Sequence, residues 1–143
     1  MKKVIYIING ANLNLLGRRE IDIYGNLPFD QILEGLRERF NFFDIHFFQS
    51  NIEGVLIDKI QEVGFSCDGL IFNPGGYSHT SISLGDTLAA ITSPVIEVHL
   101  SNIHGREEYR TISYTAKHSL GIISGFGPES YALALAHFQQ RFS

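Results

Sequence analysis

The feature that most restricts this chain is a succession of five short, mostly apolar runs, Val4–Ile8, Phe42–Phe48, Gly69–Phe72, Val95–Val98 and Gly121–Ser124, set between segments with helical periodicity. Runs of that length, covered by amphipathic segments on either side, are what buried parallel strands joined by helices require. Phe29, Ile32, Leu33, Leu36 and Phe40 share one helical face while Arg37, Glu38 and Arg39 lie mostly on the other, which predicts a crossover helix. A second helix is predicted from the capping-box pattern Ser50-x-x-Glu53, through Leu56, Ile57, Ile60 and Val63, to a stop at Gly64. Pro128 suits the first turn of a last helix, in which Tyr131, Leu135, Phe138 and Phe142 recur at helical spacing. The pattern predicts a single α/β domain over residues 1–143: a five-stranded parallel sheet, doubly wound, with the flavodoxin-like order 2-1-3-4-5 and helices on both faces.

Composition narrows the function classes. A chain of 143 residues buries enough surface to fold without a disulfide or a structural metal. Cys67 is the only cysteine, so neither an intrachain disulfide nor a multi-cysteine zinc site is available, and a buried, unreactive thiol in a reducing compartment is expected. Eleven Lys and Arg against fifteen Asp and Glu give a net charge of −4, which argues against a nucleic-acid binder relying on positive charge. No run approaches the ~18 apolar residues of a membrane span. The opening Met1-Lys2-Lys3 and Val4–Ile8 end at Asn9-Gly10, which reads as a strand rather than a leader, so a cytoplasmic protein is expected.

In a doubly wound sheet, ligands bind beyond the carboxyl ends of the strands, near the point where strand order reverses. The predicted strands run into Asn9-Gly10-Ala11-Asn12, Gln49-Ser50-Asn51, Asn73-Pro74-Gly75-Gly76 and, past Glu97, His99-Leu100-Ser101-Asn102, so polar residues gather at that rim. Each cluster is also ordinary turn chemistry. Glu97 and His99, two apart on a strand, face the same side, where a carboxylate can orient an imidazole; the same pair also fits a structural histidine. Leu100 and Ser101 offer backbone amides and a hydroxyl to a carboxylate. The stretch from Gly10 to Gly25 is long for a strand-to-helix connection and has the length of a lid or binding loop.

Within that loop, Tyr24 follows Arg18 and Arg19. A tyrosinate base near neutral pH needs its pKa lowered by roughly 2–3 from about 10, and one cation within about 4–6 Å supplies about 1–3 of that. A surface tyrosine over a basic loop fits the same residues. Asn73 and His79 can bind hydroxyls. His79, His99 and His104 are conceivable zinc ligands, but no metal-binding spacing supports them, and no metal is expected. His46, His118 and His137 read as structural. Asp86, between Leu84 and Leu88, points away from the face those leucines bury, toward solvent or a neighbouring subunit.

Taken together, Asn9-Gly10-Ala11-Asn12-Leu13-Asn14-Leu15-Leu16-Gly17, Arg19-Glu20 with Tyr24-Gly25, Gln49-Ser50-Asn51-x-Glu53-Gly54, Asn73-Pro74-Gly75-Gly76-Tyr77-Ser78-His79-Thr80-Ser81 and Glu97-Val98-His99-x-Ser101-Asn102-Ile103 resemble the type II 3-dehydroquinate dehydratases of the shikimate and quinate pathways. The likeness runs from about Val4 to Phe138. It implies anti elimination of water from 3-dehydroquinate to 3-dehydroshikimate through an enolate, without a cofactor. By resemblance Tyr24 is the base, Arg19 lowers its pKa, Asn12 holds a water against the enolate oxygen, and His99, oriented by Glu97, protonates the departing hydroxyl. Asn73, His79 and Arg110 bind ring hydroxyls, Leu100 and Ser101 hold the substrate carboxylate, Arg18 and Arg106 belong to the lid, and Asp86 reaches the site of an adjacent subunit in a dodecamer built from trimers. Family members often carry proline where this chain has Ala11 and Ile21, so a more mobile lid over 18–24, poorly ordered without ligand, is expected.

Two other functions compete. One is a flavodoxin-like nucleotide or flavin binding module at the same rim, which the absence of a P-loop or a well-placed Gly-x-Gly-x-x-Gly weighs against. The other is a Schiff-base dehydratase, but Lys2 and Lys3 are terminal, Lys59 is expected on the polar side of its helix and Lys117 lies outside the motifs.

Overall fold

The computed structural model describes residues 1–18, 20–24 and 26–143, with Tyr24 described by its backbone alone. Its strands are β1 (Lys3–Asn9), β2 (Phe43–Gln49), β3 (Gly69–Asn73), β4 (Val95–His99) and β5 (Gly121–Ser124), all parallel, in the order β2-β1-β3-β4-β5. The helices are α1 (Ile21–Tyr24), α2 (Phe29–Arg39), α3 (Glu53–Val63), α4 (Ile82–Ala90) and α5 (Glu129–Phe142). Fold class and strand order are those expected from the alternation of runs; β2 begins and ends one residue later than its apolar run.

Period-2 alternation divides the core into two layers. Ile5 and Ile7 of β1, Ile71 of β3 and Ile96 and Val98 of β4 pack with Phe29, Ile32, Leu33 and Leu36 of α2 and Tyr131, Leu135 and Phe138 of α5. Ile8, Leu70, Phe72 and Val95 turn to the opposite face, against Leu56, Ile60 and Val63 of α3 and Leu84 and Leu88 of α4. Each such fully buried side chain contributes roughly 1.5–3 kcal/mol, so no covalent or metal staple is needed. Cys67 is buried in the second layer, and burial raises its thiol pKa.

Three local expectations change. Ser50 does not cap α3: its N–H still bonds the Asn9 carbonyl at the end of the sheet, its Oγ accepts from Ile52 N–H at 3.0 Å, and the helix starts only at Glu53. The stop at Gly64 holds, with its N–H bonded to the Ile60 carbonyl. The long connection after β1 contains helical turns at Leu13–Leu15 and α1. Lys59, expected on a polar face, spans Tyr6 and Phe48, its Nζ 5.5 and 5.3 Å from their ring centroids and 2.9 Å from Glu62.

Candidate active site

Strand order reverses beside β1, where Asn9 sits in register with Gln49 on one side and Asn73 on the other. The loops leaving β1 and β3 cross there at backbone contact: a Cβ on Gly10 would lie 2.2 Å from the Pro74 oxygen. Gly75, with φ +63°, likewise leaves only 2.8 Å between a hypothetical Cβ and the Ala11 oxygen. Only glycine fits these crossings. Beyond them opens a pocket of about 110 Å³, which Asn12, Asn73, His79, His99, Ser101 and Arg110 line together with Leu100 and Arg106.

Glu97 and His99 project from the same face of β4, and the Glu97 Oε2 to His99 Nε2 distance is 2.8 Å. The carboxylate is fully buried, and a buried charge persists only if its lone pairs are met. Ser113 Oγ donates to Oε2 at 2.8 Å and Thr115 Oγ1 donates to Oε1, both from the segment that returns toward β5. With Nε2 held by Glu97, Nδ1 is the ring nitrogen available to a ligand. The His79 ring stacks beside His99, with centroids 6.1 Å apart and planes 24° from parallel. Its Nδ1 is 2.7 Å from the Ile112 carbonyl, which can only accept, so Nδ1 carries the proton and Nε2 is the acceptor. Burial is the main cause that lowers the His79 pKa; His99 and Arg110 lower it further, against the raising effect of the Ile112 carbonyl and Glu97. A neutral imidazole suited to accepting from a hydroxyl results.

Asn73, at the end of β3, is 2% exposed and is held on both sides of its amide, by Gly75 N–H and by Tyr131. Asn12 adopts the left-handed φ of 68° that asparagine tolerates. Its N–H donates to Asn51 Oδ1 at 2.9 Å, and Gln49 Nε2 donates to the same oxygen at 3.1 Å. On the far wall Arg106 Nη1 donates to Ser101 Oγ at 3.2 Å, and Arg106 Nη2 lies 3.8 Å from Glu20. Arg110 Nε is 2.7 Å from Glu107, whose carboxyl is held below its ordinary pKa by its own backbone N–H and then by Arg110. The pocket thus places two guanidinium groups, two imidazoles and two carboxamides around an apolar floor of Leu13, Leu16 and Ile103. That set can hold a small polyhydroxylated anion and exchange a proton with it.

Not every expected residue joins the pocket. Asp86 is exposed on α4, on the side opposite Leu84 and Leu88, as its helical position predicts, and does not line it. Arg18 is exposed and also outside the lining. Arg19, Gly25 and the Tyr24 side chain lie outside the described residues, as does part of the expected mobile lid over 18–24. Among the described residues no group of three His, Cys, Asp or Glu is arranged to hold a metal ion. No lysine lines the pocket among those residues. The supports that sequence reading missed are Ser113 and Thr115 beneath Glu97, and Tyr131 and Asn9 behind Asn73. Tyr131 was legible only as a core position and Asn9 only as part of the polar rim; nothing local marks Ser113 and Thr115 as partners of the site.

Residues 3–139 match the family described as dehydroquinase class II. The chain is 52% identical over 134 residues to the 3-dehydroquinate dehydratase of Helicobacter hepaticus, covering 92% of this chain and 85% of that protein. It is 53% identical over 133 residues to a 3-dehydroquinate dehydratase of Clostridium botulinum, covering 92% of this chain and 90% of the relative. Its fold superposes on the crystal structure of a type II dehydroquinase from Butyrivibrio crossotus with a TM-score of 0.92, at 41% identity over 96% of this chain and 98% of that one.

Proposed function

The chain belongs to the class II dehydroquinase family, and from that membership we infer that it is a hydro-lyase that removes water from 3-dehydroquinate to give 3-dehydroshikimate. The nucleotide or flavin module is not favoured beside that match. Loss of water requires a base for the proton next to the ketone, a site for the enolate that forms, and an acid for the departing hydroxyl. We propose Tyr24 as the base, with Arg19 lowering its pKa and Asn12 holding a water against the enolate oxygen. His99 gives its proton to the leaving hydroxyl on the opposite face as the carbon–oxygen bond breaks, and that proton and hydroxyl depart as water. Its orientation comes from Glu97.

The substrate is held by Asn73, His79 and Arg110 at ring hydroxyls and by the Leu100 and Ser101 amides and the Ser101 hydroxyl at the carboxylate, while Arg18 and Arg106 close the site. The observation that carries this reading is the buried Glu97–His99 pair, its imidazole open to the pocket at one nitrogen and fixed at the other. The reaction needs no cofactor, because the ketone itself stores the electron pair as an enolate. A Schiff base is disfavoured by Lys59, which is engaged with Glu62, and by Lys117, which lines a different surface depression. Borohydride trapping with substrate is expected to leave activity intact.

We propose further that the subunits assemble as a dodecamer built from trimers, with Asp86 completing a neighbour's site; its exposure outside its own pocket supports that role. Cytoplasmic residence is proposed as well, supported by a single, buried cysteine. The test of the activity is the rise in conjugated-enone absorbance when the purified protein meets 3-dehydroquinate without added metal or cofactor. Turnover is expected; a well-folded protein that produces no enone would overturn the reading.

A further inference from the structure

Behind the pocket wall, three buried polar side chains from β1, β3 and α5 form a chain whose direction is set at one end. Asn9, Asn73 and Tyr131 are 0%, 2% and 0% exposed. A backbone N–H can only donate, so the Gly75 amide, 3.2 Å from Asn73 Oδ1, fixes which end of the Asn73 carboxamide is oxygen. Nδ2 therefore faces Tyr131 and donates to its hydroxyl at 2.9 Å. A phenol has one proton, and with its oxygen already accepting, that proton goes to Asn9 Oδ1 at 2.8 Å. The Asn9 amide then turns its Nδ2 into the interior, where it has no partner among the described residues. Flipping Asn9 would put two donors on the Tyr131 oxygen and leave the phenol proton without an acceptor. The unmet donor is thus the residue of an order imposed from Gly75, and every other link is satisfied.

We infer that Tyr131 is a positioning residue for substrate recognition: its hydroxyl holds the Asn73 carboxamide in the orientation that presents the second Nδ2 proton and the remaining Oδ1 lone pair to a ring hydroxyl. The inference rests on the reading of Asn73 as a substrate-binding residue. The anchor lies in the core, since Tyr131 packs against Phe29 with ring centroids 5.1 Å apart and takes its direction from α5. A phenylalanine at 131 would leave the Gly75 N–H bond to Oδ1 as the anchor on that side of the carboxamide, so the amide could swing about that bond and lose its alignment with the substrate.

The test is a double-mutant cycle on steady-state elimination of 3-dehydroquinate, with near-ultraviolet circular dichroism confirming the fold of each variant. Asn73→Ala is expected to raise KM, and Tyr131→Phe to raise KM about fivefold with kcat changed less, as loss of one positioned hydrogen bond predicts. The doubly substituted protein is expected to have the KM of Asn73→Ala alone, because Tyr131 acts through that amide. A merely structural role would reduce the active fraction, lowering kcat at constant KM. An unchanged KM in folded Tyr131→Phe, or effects that multiply in the double variant, would overturn the inference while leaving Asn73 a substrate ligand. An unchanged KM in Asn73→Ala would remove the reading of Asn73 itself, and the inference with it. Should Tyr131→Phe not fold, Asn9→Leu keeps the phenol and takes away its acceptor; a KM increase that disappears in the Asn73→Ala background supports the inference, and an unchanged KM overturns it.

Discussion

The Glu97 carboxylate and the His99 imidazole meet at 2.8 Å with side-chain exposures of 0% and 6%, so their pairing is sealed from solvent while the other edge of the imidazole faces the pocket. Three donors converge on that carboxylate, from His99, Ser113 and Thr115. Glu97→Gln turns one of the two accepting oxygens into an amide donor, so the three donors can no longer all be met as they are by the carboxylate. The expected outcome is a fall in kcat of about a hundredfold, measured by enone formation, together with destabilisation of roughly 1–3 kcal/mol from unmet donors in urea unfolding. Full turnover in a folded Glu97→Gln protein would show that the acid does not depend on its carboxylate.

His99→Ala and Tyr24→Phe remove opposite ends of the proposed elimination and are expected to separate by isotope exchange. Both should fold and lose roughly 10²–10⁴ in kcat. In His99→Ala the base remains, so deuterium at the carbon next to the ketone should wash out to solvent faster than enone accumulates. Tyr24→Phe should lose washout and turnover together. Near-normal turnover in Tyr24→Phe would take that residue out of the mechanism.

How far the sequence carried these conclusions depends on the range of the interaction. The buried strands and helix faces were legible because Val4–Ile8, or Tyr131, Leu135 and Phe138, report burial through local pattern alone, and strand order followed from the alternation of strands with helices and the handedness of their crossovers. The facing of Glu97 and His99 followed from two-residue spacing on a strand. Ser50 misled because its N–H is engaged by Asn9, a contact from a different strand that keeps it out of the helix. Ser113 and Thr115 were invisible for a related reason: they reach Glu97 only because the segment after Arg110 folds back across β4, and nothing near them in sequence specifies that return.

The crossing of Gly10 over Pro74 predicts a substitution that damages fold and site together. A methyl at residue 10 would lie 2.2 Å from the Pro74 oxygen and 2.7 Å from its carbonyl carbon, and backbone cannot move aside as a flexible side chain can. Gly10 N–H also bonds the Asn73 carbonyl at 2.7 Å, so displacement of the loop drags the end of β3 with it. Gly10→Ala is expected to cost about 1–3 kcal/mol in urea unfolding, as overpacking does, and to raise KM in the protein that remains folded. Stability and KM both at wild-type values would show that the two loops are free to separate.

His79 gives the stability a pH dependence whose sign follows from its environment. Burial and the neighbouring His99 and Arg110 lower its pKa from the ordinary 6.5, so the folded protein binds its proton less readily than the unfolded chain does. Where the unfolded state binds more protons, stability rises with pH. The contribution of a neutral His79 is therefore fully present above the ordinary value and is lost as pH falls below 6.5 toward the depressed folded value. Unfolding free energies of wild type and His79→Asn, measured side by side from neutral to mildly acidic pH, are expected to differ by a constant amount at the neutral end and to converge on acidification. A difference that stayed flat across that range, or widened toward acid, would mean that His79 is not held neutral by the fold.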